Sequence, residues 1–163
     1  RAGNVIGGGD WSADRLVPDI IRSLRNQQPV LVRNPQSVRP WQHVLEPLGG
    51  YLLLAMKAGQ DPLKYTGAYN FGPLPDDHLT VQELVETAID RWGSGAWVNG
   101  YDPSQPHEAG LLHLSIRKAQ DMLQWQPKLN SRTAIAYTLD WYRQPVEQQY
   151  ASTLSQIENY QQL

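Results

Sequence analysis

The sequence predicts an α/β fold in which helices dominate and the strands are short. Three observations carry this reading. Val81, Leu84, Val85, Ala88, Ile89 and Trp92 recur with the 3.6-residue period of an amphipathic helix. Brief β-branched or aromatic runs, Val5-Ile6, Val30-Leu31-Val32 and Ala96-Trp97-Val98, stand alone between helical segments. Such scattered strands do not by themselves close a doubly wound sheet, which needs successive strand–helix–strand units. They suit a chain whose strands complete a sheet built mainly by other sequence.

Taken in order, the chain opens with a strand ending at Val5-Ile6, which runs into Gly7-Gly8-Gly9. Consecutive glycines permit positive φ and close backbone approach, and Asn4 stands at the edge of that turn. Leu16-Val17-Pro18 leads into a short helix over Asp19–Leu24, ended by Gln27-Gln28-Pro29. The strand Val30-Leu31-Val32 stops at Asn34-Pro35. From Gln42 to about Ala58 the pattern predicts a long helix closed by Gly59, and its run Tyr51-Leu52-Leu53-Leu54-Ala55-Met56 implies burial on two sides. Ala68-Tyr69-Asn70-Phe71 reads as a strand before Gly72-Pro73.

Thr80-Val81-Gln82-Glu83 has the capping-box spacing and starts the most regular helix, which Gly93-Ser94-Gly95 breaks. Residues 101–110 form a polar loop with two prolines. Leu112-His113-Leu114 alternates as a strand, Ser115 is placed to cap a helix over Ile116–Leu123, and Trp125-Gln126-Pro127 ends it. A longer helix follows over Ser131–Arg143. Beyond Pro145, Tyr150, Leu154 and Ile157 leave one weak apolar stripe for a final helix.

The 163 residues are enough for one domain with a real core. With 14 Lys and Arg against 16 Asp and Glu, no strong field points to nucleic acid or a membrane surface. The absence of cysteine excludes disulfides and thiolate chemistry, and the expected setting is soluble and cytoplasmic. Several catalytic signatures are missing. There is no phosphate-binding Gly-x-Gly-x-x-Gly, because Ser12 stands where the third glycine would follow Gly7 and Gly9. No lysine has a tyrosine four residues before it, and no Gly-x-Ser-x-Gly elbow occurs. His43, His78, His107 and His113 lack the spacing of a zinc site, so no metal is expected. No catalytic residue is assigned within the chain.

What remains suits an anionic, hydroxyl-rich ligand. Arg39, stiffened by Pro40 and Trp41, can direct two donors at a phosphate. Arg15 can add a second positive charge. Asn4 and Asn70 lie at strand ends, where an amide both donates and accepts. His107-Glu108 sits in the long polar loop. Taken alone, each also fits an ordinary turn or a solvated surface.

Gly3-Asn4-Val5-Ile6-Gly7-Gly8-Gly9-Asp10-Trp11 and Arg39-Pro40-Trp41-Gln42-His43-Val44-Leu45-Glu46-Pro47 together resemble the nucleotide-sugar branch of the extended short-chain dehydrogenases. In that branch a strand follows the catalytic Tyr-x-x-x-Lys helix and runs into Arg-x-x-Asn-x-x-Gly. A later Arg-Asp-Trp/Phe-x-x-Val-x-Asp segment opens a helix. Within the branch, the variants here are most similar to the 4,6-dehydratases that act on CDP-glucose. The resemblance extends to about Arg143. It implies the C-terminal, substrate-binding part of such an enzyme, lacking most of the Rossmann sheet. Residues 1–143 would be that part, with the last strands and one helix of the Rossmann domain, and 144–163 a helical extension.

The resemblance also implies roles. Asn4 would lie near the substrate diphosphate, and Arg15, Leu16 and Val17 close to the nucleotide. Leu31, Val32 and Arg33 would line the base, while Arg39 and Asn70 grip the diphosphate and ribose. His107 would sit on a loop that closes over the nucleotide. Ala2, Gly3 and Val5 would approach the nicotinamide of NAD, which upstream sequence would mainly hold. Ser115 and Gln124 depart from the usual Asp-x-x-Lys-Ala and Leu-Gly-Trp-x-Pro. The implied reaction takes a hydride from sugar C4, eliminates water across C5–C6 and returns the hydride at C6; the C4 ketone acidifies the C5 proton, so oxidation comes first. The implied partners are CDP-glucose and a second copy of the intact enzyme. Two alternatives stay open: a related dehydratase or epimerase for another nucleotide sugar, and a non-catalytic binding or assembly module.

Overall fold

The computed structural model describes residues 1–102 and 110–163. Its strands pair over long sequence separations in three two-stranded ribbons. β1 (Asn4–Ile6) runs parallel to β4 (Trp41–His43), with Asn4 opposite Trp41 and Ile6 opposite His43. β2 (Val30–Val32) runs parallel to β6 (Trp97–Asn99), and β3 (Val38–Arg39) is antiparallel to β5 (Leu79–Thr80). Single bridges join Ala2 to Phe71 and Val38 to Leu111.

The helices are α1 (Leu16–Arg25), α2 (Leu45–Gln60), the single turn α3 (Pro62–Tyr65), α4 (Val81–Trp92), α5 (Arg117–Leu123), α6 (Ser131–Arg143) and α7 (Val146–Gln162). The expected capping box starts α4: Thr80 Oγ1 accepts from the Glu83 N–H, and the Glu83 carboxylate accepts from the Thr80 N–H. Gly93 ends the helix in the left-handed region at φ 95°. α6 begins and ends where the sequence placed it, with the Asn130 side chain accepting from the Thr133 N–H.

α1 and α4 pack against β2, and α6 against α4, β4 and β1, around Ile20, Ile21, Leu84, Val85, Ile135 and Leu139. Each such side chain, fully buried, contributes roughly 1.5–3 kcal/mol. A smaller core gathers Tyr69, Phe71, Ile116, Ala119, Leu123 and Trp125. Phe71 also fixes α2 at Gly50, where a Cβ would fall 2.3 Å from its ring.

The structure corrects several expectations. Gln42 and His43 belong to β4, not to the following helix, which starts at Leu45 and continues through Gly59 to Gln60. Pairing with β1 wins because it buries Trp41, Gln42 and His43 together and gives the Gln42 amide a partner, the Phe71 carbonyl at 2.8 Å. Residues 68–71 form only the Ala2–Phe71 bridge, and 112–114 form no strand, since pairing stops at Leu111. Ser115 caps nothing: the N-cap of α5 is Ile116, while the Ser115 carbonyl accepts from the Asn70 amide at 3.1 Å.

α2 is not buried on two sides. Only Glu46, Pro47 and Gly50 are enclosed, while Leu48, Tyr51, Leu52 and Met56 face outward among the described residues. α7 buries no residue of its own and is held by polar contacts, including Gln156 to the Tyr137 carbonyl at 2.7 Å and Trp141 Nε1 to Thr153 Oγ1 at 2.8 Å. No helix among the described residues is long and apolar enough to cross a membrane.

Candidate functional site

Two clefts of similar size adjoin on one side of the molecule. The first, about 570 Å³, lies between β1 and the loop leading into α1, and Asn4, Asp10, Arg15 and Val17 line it. The second, about 560 Å³, lies between α1 and β2, with Asp19, Leu31, Arg33 and Arg39 on its walls. Asn4, Asp14, Leu16 and Trp41 border both, so the two form one bent depression.

Local chemistry explains why these side chains converge. Asn4 stands at the start of β1, where its backbone N–H donates to the Pro40 carbonyl at 3.1 Å. That bond sets β1 beside the segment carrying Arg39 and Trp41. Arg39 occupies β3 opposite Leu79, and its guanidinium also donates to the Val38 carbonyl at 3.0 Å.

The loop between β1 and α1 is riveted from behind. Arg22 donates to the carbonyls of Trp11 and Ser12 at 3.0 and 3.1 Å and pairs with Asp19. Trp11 packs edge-on against Tyr142 at 5.0 Å, while the Arg25 guanidinium lies 4.8 Å over its ring. Within the loop, hydrogen bonds from Ser12 and the charge of Arg15 hold the Asp10 carboxyl below its usual range. Asp14 adopts φ 58°, a left-handed conformation uncommon outside glycine, and faces Arg33 at 3.9 Å across the cleft mouth.

The depression therefore presents Arg15, Arg22, Arg33 and Arg39 together with three carboxylates, Asp10, Asp14 and Asp19. Apolar side chains of Leu16 and Leu31 stand beside them. Such a mixture can stack a flat ring, meet a phosphate and exchange hydrogen bonds with hydroxyls.

Behind the site two polar groups are buried deeply. Burial lowers the His43 pKa to about 4, so the imidazole is neutral, and its Nδ1 accepts from the Leu45 N–H at 3.4 Å. Glu46 is fully enclosed; its Oε1 accepts from the backbone N–H groups of Lys128 and Leu129 at 2.9 and 2.7 Å, and its Oε2 from the Tyr160 hydroxyl at 3.0 Å.

No family model matches the chain. A CDP-glucose 4,6-dehydratase of Salmonella typhimurium is 44% identical over 144 residues, which is 88% of this chain and 40% of that protein. Among solved structures, a UDP-glucuronic acid 4-epimerase from Bacillus cereus, in complex with UDP-glucuronic acid and NAD, superposes with a TM-score of 0.73 at 16% identity, over 88% of this chain and 44% of its own. A dTDP-glucose 4,6-dehydratase from Bacillus anthracis, in complex with NAD, gives 0.68 at 19% identity, over 93% and 46%. The chain has the fold of the C-terminal part of an extended short-chain dehydrogenase. It spans less than half the length of each of these relatives.

Most residues assigned from the dehydrogenase resemblance meet at the depression. Ala2, Gly3, Asn4, Val5, Arg15, Leu16 and Val17 line the first cleft, and Asn4, Leu16, Leu31, Arg33 and Arg39 the second. Val32 instead belongs to the core at 1% exposure, because alternation along β2 turns it away from Leu31. Asn70 lines neither cleft, and its amide is engaged by the Ser115 carbonyl. His107 lies outside the described residues.

Asp14, Asp19, Arg22 and Trp41 were not singled out from sequence. The i, i+3, i+7 spacing of Leu16, Asp19 and Ser23 gathers them along one flank of α1, beside the buried Ile20, Ile21 and Leu24, and only the placement of β2 across from α1 makes that flank a cleft wall.

For NAD, the residues present fit one wall only. Ala2 and Val5 line the first cleft, but the space a Cβ would take at Gly3 is filled by Pro40, 2.8 Å away, and the sequence has no glycine fingerprint to cradle the pyrophosphate. Among the described residues no group of three or more His, Asp or Glu is placed to hold a metal ion.

Proposed function

We propose that the chain is the nucleotide-sugar-binding part of a 4,6-dehydratase that converts CDP-glucose to CDP-4-keto-6-deoxyglucose. The observation that carries this reading is the meeting of the two clefts at Asn4 and Trp41, with arginines on both arms. The nucleotide occupies the arm between α1 and β2, its base against Leu16 and Leu31. Arg33 and Arg39 stand beside the diphosphate. Asn4 spans the junction, where an amide can serve diphosphate and sugar oxygens together. The sugar then lies in the arm along β1, on the side of Ala2 and Val5.

NAD, bound mainly by sequence upstream in the intact enzyme, supplies the acceptor for the C4 hydride. The residues of this chain bind and orient the substrate for that step, and the acid–base groups for water loss lie upstream. The 44% identity to a CDP-glucose 4,6-dehydratase supports the choice of substrate. The similar folds of proteins named for UDP- and dTDP-sugars support a second reading that keeps the site and changes the base.

The test is product formation. Full-length protein given CDP-glucose and NAD is expected to form a product one water lighter, turning over UDP-glucose and dTDP-glucose at least about tenfold more slowly. The 163-residue chain alone is expected to form none, lacking both the glycine fingerprint and Tyr-x-x-x-Lys. Faster turnover of another nucleotide sugar would move the assignment to the second reading, and no turnover of any would overturn both.

A further inference from the structure

We infer that Asp19 selects the base, by accepting a hydrogen bond from the exocyclic amino group of cytosine. The inference rests on the reading of the second cleft as the nucleotide arm. Leu16, Asp19 and Ser23 form the α1 wall of that cleft, and Val30 and Leu31 lie on the wall formed by β2. A flat ring held between the walls would present its edge to whatever polar group projects from α1.

Arg22 and Ser23 share that wall, and Asp19 is its one carboxylate, held in place. One of its oxygens, Oδ1, pairs with Arg22. Arg22 cannot swing away freely, because it also donates to the carbonyls of Trp11 and Ser12. The second oxygen, Oδ2, accepts no hydrogen bond from any described residue, and the side chain is half exposed at 48%. The result is an oriented acceptor on a helix, with one lone-pair face open. Asp14, the other carboxylate on this cleft, differs on each point: it is 83% exposed, lies on a loop and faces Arg33.

A carboxylate that can only accept discriminates among pyrimidines. Cytosine carries an amino donor at the position where uracil and thymine carry a carbonyl oxygen. The first completes a charge-assisted hydrogen bond with Oδ2; the second sets two acceptors against each other. Asparagine in place of Asp19 would change the logic, because an amide can turn either its oxygen to an amino group or its nitrogen to a carbonyl.

The experiment compares CDP and UDP binding by calorimetry in the full-length protein, as parent, Asp19→Asn and Asp19→Ala. The parent is expected to prefer CDP by at least about tenfold, the range for a hydrogen bond to a charged group. Asp19→Asn should bring the ratio close to one, partly by strengthening UDP binding. Asp19→Ala should weaken CDP and gain less in UDP than Asp19→Asn, since it removes the opposed acceptor without supplying a donor, a pattern that a general loss of structure would not mimic. If the Asn variant melts early, the Ala variant still reports the ratio. A parent that prefers CDP while both variants keep the same ratio overturns the role of Asp19 and leaves the proposed function standing. A parent that binds neither nucleotide overturns the reading of the cleft, and this inference with it.

Discussion

Tyr142 donates its hydroxyl to the backbone carbonyl of Asp10, joining the end of α6 to the wall of the first cleft across 132 positions of sequence. Burial, and then the nearby Asp10 carboxylate, push the phenol up to about 12, so it stays a donor at any working pH. Phenylalanine would keep the ring against Trp11 and remove only this bond. Tyr142→Phe is expected to cost about 1 kcal/mol. The melting temperature should fall by roughly 2–4 °C, and proteolysis between Gly7 and Arg15 should quicken. An unchanged melting curve would show that the contact holds nothing.

Glu46 gives a pH dependence whose sign can be worked out. Burial raises its pKa above 4.5, against the opposing hydrogen bonds from Leu129, Lys128 and Tyr160. The folded state therefore binds this proton more tightly than the unfolded chain. Its contribution to stability is fully present below the unfolded value and is lost as pH rises through the folded one. Glu46→Gln keeps an acceptor for the two backbone N–H groups and does not titrate. Melting temperatures followed upward from about pH 4.5 should decline less for Glu46→Gln than for the parent. Parallel curves would mean that Glu46 does not titrate as its burial demands.

The contrast between Glu46 and the capping box of α4 shows where the sequence was legible. Thr80 and Glu83 are three residues apart, so their reciprocal bonds follow from local spacing. The helix from Ser131 to Arg143 was legible for the same reason, with Ala134, Ile135, Thr138, Leu139 and Tyr142 buried along one face. Glu46 meets Leu129 and Tyr160 across 83 and 114 positions, and no period announces that. β4 was hidden in the same way. Gln42 and His43 are polar, so alternation gives no hint of burial, and only pairing with β1 encloses them. The apolar run of α2 predicted burial that the described residues do not supply. The site followed the same rule: motif segments placed Asn4, Arg15 and Arg39, whereas Asp19 became visible only once β2 lay opposite α1.

Gln124 is one of the two departures noted in the sequence, and it sits at φ 60°, closing α5 in the left-handed region where glycine is favoured. Its amide recovers part of the cost by donating to the Asp121 carbonyl at 3.1 Å. Removing a non-glycine residue from this conformation relieves on the order of 1–2 kcal/mol, offset by the greater freedom of glycine in the unfolded chain. Gln124→Gly is therefore expected to raise stability by up to about 1 kcal/mol, read as a higher denaturant midpoint at constant slope. A lower midpoint would mean that the side-chain bond outweighs the strain.

Arg39 is the residue on which the proposed diphosphate site depends most. It is anchored on both sides, by its pairing in β3 with Leu79 of β5 and by Pro40, whose carbonyl accepts from the Asn4 N–H. Little side-chain freedom is then lost in directing its guanidinium toward a ligand. In the full-length protein Arg39→Ala is expected to raise the KM for CDP-glucose by an amount worth roughly 1.5 to 3 kcal/mol, as for a hydrogen bond to a charged group. Inhibition by CDP should weaken in parallel, since the diphosphate is common to both. Lysine should recover only part of the loss, offering one compact charge where arginine offers a planar fork. NAD binding should hardly change, because the proposed function places its phosphates on upstream sequence. If CDP inhibits Arg39→Ala as strongly as it inhibits the parent, Arg39 serves β3 alone and the diphosphate lies elsewhere in the depression.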